Sequence, residues 1–404
     1  MICDCYHGWL CNLALLPNGF ASTIETMPSA SQSFAGNAAQ SQAKVSNADP
    51  LTGAAGRSRG LRLRPTQVTW EVTRVFSWKA ASLRPAKTVA RGTNCLSTAE
   101  AFHLIEDVAA MHVPVLALSG GDPLTRPDLF PIIEFAARRS VRTSLTLLPT
   151  PLLERGIVED LKTRGLLRVG FWLHGSTAAF NDGHWGVSGL HRRTLEIIGI
   201  CHEVQLPVQV NTILSRRNLH DLDSMIELLT RLDVVLWNVV FLVPATCDEA
   251  SIMLSAEEHE EVFSKLYTAT KQVHFQIKTT EGQHYRRYLL EQRVRESRGR
   301  LTEVDVFAAS LRDGNDSQAT MFINDRGEVY PSRFLPLAGG DVTRQSLAEV
   351  YCGSPLFVSL RDSSRLKGKC GRCQARNLCG GSRARAYVMT GDLFASDPCC
   401  AFEP

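Results

Sequence analysis

From about residue 66 the chain alternates short, β-branched apolar runs with stretches whose apolar residues recur at helical spacing. The strand-like runs are VTWEVTRV (68–75), PVLALSGG (114–121), SLTLL (144–148), RVGFWL (168–173), VQVNTIL (208–214) and VVLWNVVFLV (234–243). Each is separated from the next by a segment long enough for a crossover helix, which is the signature of parallel βαβ units. Ser97, followed three residues later by Glu100, makes a capping box ahead of Ala101, Leu104, Ile105 and Val108, so a helix is predicted to begin there. Six such strands predict an α/β fold, a partial (β/α)6 barrel. In such a barrel the functional groups gather at the C-terminal ends of the strands.

Outside this region the pattern changes. Residues 1–65 are rich in Ala, Ser, Gly and Gln after a short apolar start, cannot offset the entropy of ordering, and read as a disordered leader in which Met27 could be the true start. Residues 66–250 form the barrel and residues 251–318 a bridge, mainly helical over 255–297 and a polar linker over 298–317. Residues 319–404 form a C-terminal domain that opens with a hairpin rhythm, TMFINDRGEVYPS (320–332), turning at Asp325, Arg326 and Gly327.

With 404 residues, 44% hydrophobic and 21% charged, the chain has ample material for a buried core. Lys and Arg total 44 against 41 Asp and Glu, a formal charge of +3 without a dense basic stripe, which argues against nucleic acid as a partner. No run approaches the ~20 apolar residues that cross a bilayer, so no membrane association is expected. The N-terminal WLCNLALL lacks the basic start of a secretory signal, which makes the cytoplasm the expected compartment.

Twelve cysteines alter the picture, because five of them, Cys370, Cys373, Cys379, Cys399 and Cys400, fall within the last 35 residues. A C-x2-C pair lets one tight turn aim two sulfurs at one metal, and Gly371, Gly380 and Gly381 give the backbone room for such turns. Cys379 and a cysteine from the tail would complete four-sulfur coordination of zinc or of an iron–sulfur cluster, between which spacing does not choose. Arg372, Arg383 and Arg385 read either as cations that ease the charge of bound thiolates or as solvated basic surface.

The separated stretches WEVTR, LSGGDPLTRPDLF, VQVNT, GEVYPS with FLPL, and CGRC…CGGSRARAY…DPCCAFEP resemble the radical SAM superfamily. The likeness is to members with a C-terminal SPASM or twitch extension, in the branch related to tetrapyrrole processing in heme biosynthesis. The resemblance runs from about residue 68 to 404. It implies one auxiliary [4Fe–4S] cluster on Cys370, Cys373, Cys379 and, at the tail position before AFEP, Cys400, with Cys399 the near alternative. It also implies that the loop Gly120, Gly121, Asp122 and Pro123, and Asn211 at a strand end, bind S-adenosylmethionine. By itself GGDP is a turn and a strand-end Asn a cap.

The family's radical chemistry needs C-x3-C-x2-C after the first strand, three thiolates that leave one iron open to S-adenosylmethionine. Residues 73–87 here, TRVFSWKAASLRPAK, contain no cysteine: Phe76 stands at the first position and the other two fall in a short deletion around residues 79–81. The next thiol downstream is Cys95. Trp172 and His174 stand where the family has a small hydroxyl residue and an acid, and Trp185 where it has an Arg. By themselves the two Trp residues read as packing aromatics and His174 as a hydrogen-bonded histidine.

Three functions are therefore expected to compete. The first is a degenerate radical SAM protein that keeps the auxiliary cluster, lacks the SAM-cleaving one and works with an electron-donor or maturation partner. The second is an active enzyme modifying a tetrapyrrole or peptide, whose recorded sequence is damaged over residues 73–95. The third is a zinc-stabilised interaction protein on the same fold.

Overall fold

The structure is a computed structural model that describes residues 64–75, 95–296 and 319–404. The expected leader, the stretch around Phe76 where the family carries its cysteines, and the linker over 298–317 lie outside the described residues. The barrel runs β1 (Gln67–Thr73), α1 (Thr98–Ala110), β2 (Leu116–Gly120), α2 (Leu129–Arg138), β3 (Thr143–Leu147), α3 (Arg155–Thr163) and β4 (Arg168–Trp172). It continues with α4 (Ala178–Trp185), α5 (Leu190–Glu203), β5 (Val208–Leu214), α6 (Leu222–Arg231), β6 (Leu236–Phe241), α7 (Cys247–Ser251), α8 (Ala256–Thr270), β7 (Gln276–Thr280) and α9 (Tyr285–Glu296).

Every neighbouring pair from β1 to β7 is parallel, in sequence order, the pairing that successive βαβ crossovers produce. Helix α1 begins at the predicted capping box and buries the expected face of Ala101, Leu104, Ile105 and Val108. One element departs from the sequence reading: β7 lies inside the stretch expected to be mainly helical and adds a seventh parallel strand. Its sequence, QIKTT, leaves none of its five residues fully buried, so the apolar signal of a core strand is missing.

Along the inner face of the sheet stand polar side chains in place of packed aliphatics. Arg168 donates to Gln209, Gln209 to Asn211, Asn238 to Asn211, and Thr280 to Asn238. Lys278 on β7 donates to Gln67 on β1 at 3.1 Å. Six flat strand spacings would separate these strands by about 29 Å at ~4.8 Å each. The contact therefore requires the sheet to curl into a barrel. The outer face is the core, where Val68, Trp70, Val72, Leu116, Leu118 and Phe171 are fully buried beneath the helices.

After the linker, β8 (Thr320–Ile323) pairs parallel with β1, and β9 (Glu328–Tyr330) turns back antiparallel at Gly327, whose φ of +94° suits glycine. A short β10 (Gly340–Asp341) completes a ten-stranded sheet in the order β10-β9-β8-β1-β2-β3-β4-β5-β6-β7. The helices Leu347–Gly353, Pro355–Arg361, Gly368–Arg372 and Arg383–Thr390 follow. Val243, Leu335, Leu360 and Ala384 bury a second, smaller apolar cluster there. No helix among the described residues is long and apolar enough to cross a membrane.

Candidate functional site

The C-terminal segment folds around a small recess, partly open to solvent, lined by Cys370, Cys373, Cys379 and Cys400, together with Arg287, Lys369, Arg376 and Phe402. Cys370 lies in the short helix Gly368–Arg372 and Cys373 caps it, so the C-x2-C turn presents both thiols to one side. Gly371 is required in this turn, because a Cβ there would lie 2.3 Å from the Leu366 carbonyl oxygen. Gly380 and Gly381 follow Cys379 with φ of +69° and +66°, and the Gly381 N–H donates to Cys379 Sγ at 3.3 Å.

The tail is carried to the recess by Asp397. Its carboxylate accepts from the Ser382 N–H at 2.8 Å and the Cys399 N–H at 3.1 Å, and pairs at two points with Arg385. Arg385 also donates to the Glu281 carbonyl at the end of β7, while the Glu281 carboxylate accepts from Ser382 and Ser332. Burial would raise the Asp397 pKa, but the Arg385 charge, His284 and the hydrogen bonds hold it well below the usual carboxylate range. Arg383 donates to the carbonyls of Leu393 and Ala395. Arg383 and Arg385 are 4% and 0% exposed, so neither is the solvated surface cation that was one of their two sequence readings: both clamp the tail.

The two adjacent tail cysteines diverge. Cys400 lines the recess, whereas Cys399 turns its thiol to the Leu254 carbonyl at 3.5 Å. Burial pushes the Cys379 thiol up to about 12 and the Cys400 thiol up to about 11, so each stays protonated at neutral pH unless a metal takes it as thiolate. Among the described residues no group of three His, Cys, Asp or Glu side chains is placed to hold one metal ion. The four thiols line one recess, and a multi-iron cluster, in which each sulfur binds its own iron, is a group that four such thiols could hold. The residues present thus fit such a group, and Arg287 and Lys369 would offset part of its thiolate charge.

At the C-terminal end of β2, the Gly121 N–H donates to the Thr73 carbonyl at 2.8 Å and the Asp122 N–H to the Val75 carbonyl at 2.7 Å. A Cβ at Gly120, whose φ is +137°, would lie 2.2 Å from the Thr73 oxygen, and one at Gly121 would lie 2.3 Å from the Val75 oxygen. Only glycines let this loop lie against the end of β1. The Asp122 carboxylate accepts from the Leu124 N–H and from Thr150 and caps the turn Pro123–Thr125, with Pro123 buried. What this loop offers a ligand is therefore main chain, shaped by Asp122. Asn211 sits on the inner face of β5, 3% exposed and hydrogen-bonded to Gln209 and Asn238, two strand neighbours away from Thr146 and beside Gly170.

Beyond β4, four rings meet. His174 lies 5.7 Å from Trp172, 5.2 Å from Trp185 and 4.0 Å from His184, centroid to centroid. His174 is 1% exposed, and its Nδ1 accepts from the Ile213 N–H, which makes it the hydrogen-bonded histidine expected from sequence. Burial, with His184 adding to it, pushes its pKa well below the ordinary value. Cys95 stands at the β8–β9 turn, its Sγ 3.6 Å from Asp325 Oδ2, and burial together with Asp325 raises its pKa. Asp397, Glu281 and His184 carry no distinctive local signal: an acidic residue in a tail and a histidine near a helix end are ordinary surface features.

Fold and site together define a (β/α) barrel with a cysteine-lined C-terminal extension. The chain belongs to the radical SAM superfamily, in the branch of the AdoMet-dependent heme synthases. It is 33% identical over 340 residues to the AdoMet-dependent heme synthase of Methanosarcina barkeri, covering 84% of this chain and 97% of that protein. It is 30% identical over 341 residues to the enzyme of the same name from Nitratidesulfovibrio vulgaris, covering 83% and 92%. A PqqA peptide cyclase of Rhodopseudomonas palustris is 27% identical over 325 residues, covering 78% of this chain and 81% of its own. Among solved structures, Streptococcus suis SuiB bound to S-adenosylmethionine superposes with a TM-score of 0.64 at 13% identity, over 84% of this chain and 78% of that one. Native anSMEcpe with bound AdoMet gives 0.59 at 10%, over 83% and 94%, and both likenesses concern the fold alone. No protein-family model matches the chain.

Proposed function

We propose that this protein is an iron–sulfur member of its family that holds one auxiliary [4Fe–4S] cluster on Cys370, Cys373, Cys379 and Cys400, receives a tetrapyrrole at the barrel mouth, and does not cleave S-adenosylmethionine. The observation that carries this reading is the contrast between two cysteine sets: four thiols around one recess at the C-terminus, and no cysteine at all in residues 73–87. The auxiliary cluster, when bound, supplies an electron-transfer centre. Phe, Ala and Ser at the other position supply no soft ligand, so the three-thiolate site that reduces the sulfonium has no donors. A tetrapyrrole is preferred to a peptide because relatives named heme synthases reach 33% identity, against 27% for the peptide cyclase.

A second reading, an active enzyme altered in the recorded residues 73–95, is favoured by the GGDP loop, whose glycine approach to β1 is intact. One experiment separates the two, and zinc as well. Protein reconstituted without air is assayed for iron, sulfide and zinc, beside a Cys370→Ala/Cys373→Ala variant, and for 5′-deoxyadenosine formed from S-adenosylmethionine under reductant. About four irons and four sulfides, lost in the variant, with no 5′-deoxyadenosine, are expected. About eight irons with S-adenosylmethionine cleavage would overturn the proposal in favour of the active enzyme, and one zinc without iron would return the protein to the structural class.

A further inference from the structure

The four rings beyond β4 are more than packing. His184 lies in the last turn of α4, an eight-residue helix that follows the C-terminal end of β4, so it stands at the mouth of the barrel, where ligands of such folds bind. It is exposed, in contrast to His174 beneath it. Its imidazole makes no hydrogen bond or ion pair with any described residue; its ring neighbours are His174, tilted by 42° at 4.0 Å, and Trp185, nearly perpendicular to it at 5.5 Å. His174 cannot play the outward part, because its Nδ1 is committed to Ile213 and its main chain is held by Asn181 and Asn218. It serves as a rigid shelf that fixes the plane of the ring above it.

With no hydrogen-bond partner among the described residues, the ring nitrogens of His184 keep a lone pair free for a metal, and the neutral imidazole is the usual metal-binding form. Arg217, three residues past the C-terminal end of β5, the strand beside β4, is exposed and forms no ion pair with a described carboxylate. A neutral imidazole, flat indole surfaces and an unpaired guanidinium together match a ligand that is planar, carries a metal with an open axial position and bears carboxylates. We propose that His184 is an axial ligand to the iron of a tetrapyrrole bound at the barrel mouth, with Trp172 and Trp185 against the macrocycle and Arg217 on a carboxylate of its rim. This inference rests on the tetrapyrrole reading above and deepens it by naming the residue that takes the iron.

The test is a titration of the reconstituted full-length protein with iron coproporphyrin and, separately, with metal-free coproporphyrin, followed by the Soret band and by electron paramagnetic resonance of the ferric form. In the native protein the iron form is expected to show nitrogen axial ligation. His184→Ala is expected to lose that signature and to weaken binding of the iron form by at least roughly tenfold, since even outer partners of a metal ligand cost that much. Added imidazole should restore the signature in the variant, and the metal-free form should bind both proteins alike. An unchanged spectrum and affinity in His184→Ala would overturn the assignment of His184 while leaving tetrapyrrole binding intact. No binding of either tetrapyrrole by the native protein would overturn the tetrapyrrole reading itself, and the axial ligand with it.

Discussion

The Arg385 guanidinium meets the Asp397 carboxylate at two points, Nε to Oδ1 at 2.9 Å and Nη2 to Oδ2 at 2.8 Å, with neither side chain exposed to solvent. Through this pair the last residues of the chain are fastened to the helix Arg383–Thr390 and, by way of the Glu281 carbonyl, to the end of β7. Breaking a buried pair by removing one partner leaves an uncompensated charge, at a cost of about 3–5 kcal/mol. Asp397→Ala is therefore expected to lower the unfolding free energy by that order, read from denaturant curves of the full chain. A loss within about 0.5 kcal/mol, the scale of surface substitutions, would contradict the role given to this pair.

The same carboxylate sets a dependence on acid. Its folded pKa lies below the unfolded value of about 3.9, so its contribution is complete above that value and declines as pH falls below it. Buried histidines act earlier. Burial lowers His259 from its ordinary 6.5 to about 4, and lowers His174 well below 6.5, so the unfolded chain takes up protons that the folded chain refuses. Stability is then complete above about pH 6.5 and falls as pH drops from there toward 4. Denaturant midpoints measured at intervals across this window should decline steadily, and a flat profile would show that these histidines are not held neutral.

Adjacent cysteines give a sharp contrast. Cys400 lines the recess and Cys399 points to the Leu254 carbonyl. Cys400→Ser is expected to reduce the iron and sulfide content of reconstituted protein and to bleach its visible absorption, while Cys399→Ser retains both. Equal losses in the two variants, or the reverse order, would reassign the fourth ligand.

The loop after β2 makes a steric prediction. Gly120→Ala places a Cβ 2.2 Å from the Thr73 oxygen at a φ of +137°, so the loop must move or the strand end must part. Strain of this kind costs on the order of 1–3 kcal/mol. A lower melting temperature is expected, together with weaker binding of S-adenosylmethionine in equilibrium dialysis if the loop is its site. An unchanged melting temperature would show that the loop tolerates a side chain.

Much of this molecule could be read without coordinates. The β-branched runs that become β1 to β6 are local patterns, and the Ser97–Glu100 capping box depends on four consecutive residues, so both survive translation into structure within a residue or two. The cysteine spacing and its glycines likewise announce a turn that gathers sulfur. Strand β7 was not legible, because QIKTT faces the polar interior of the barrel on one side and is nowhere fully buried, so it carries neither the apolar run nor the alternation of a core strand.

What the sequence determined by itself is what neighbours along the chain can specify: the strand and helix periods, the caps, the C-x2-C turn, the glycines after β2, and the lack of cysteine in residues 73–87. Tertiary structure alone decided which tail cysteine faces the recess, because that choice is made by Asp397 gripping Arg385, twelve residues away, and the Ser382 N–H. It likewise decided that Arg383 and Arg385 are buried clamps, and that His184 rests on His174 with an open face at the barrel mouth. These are contacts between segments that only the curl of the sheet and the fold of the tail bring together, and no local pattern encodes the direction in which a side chain will then point.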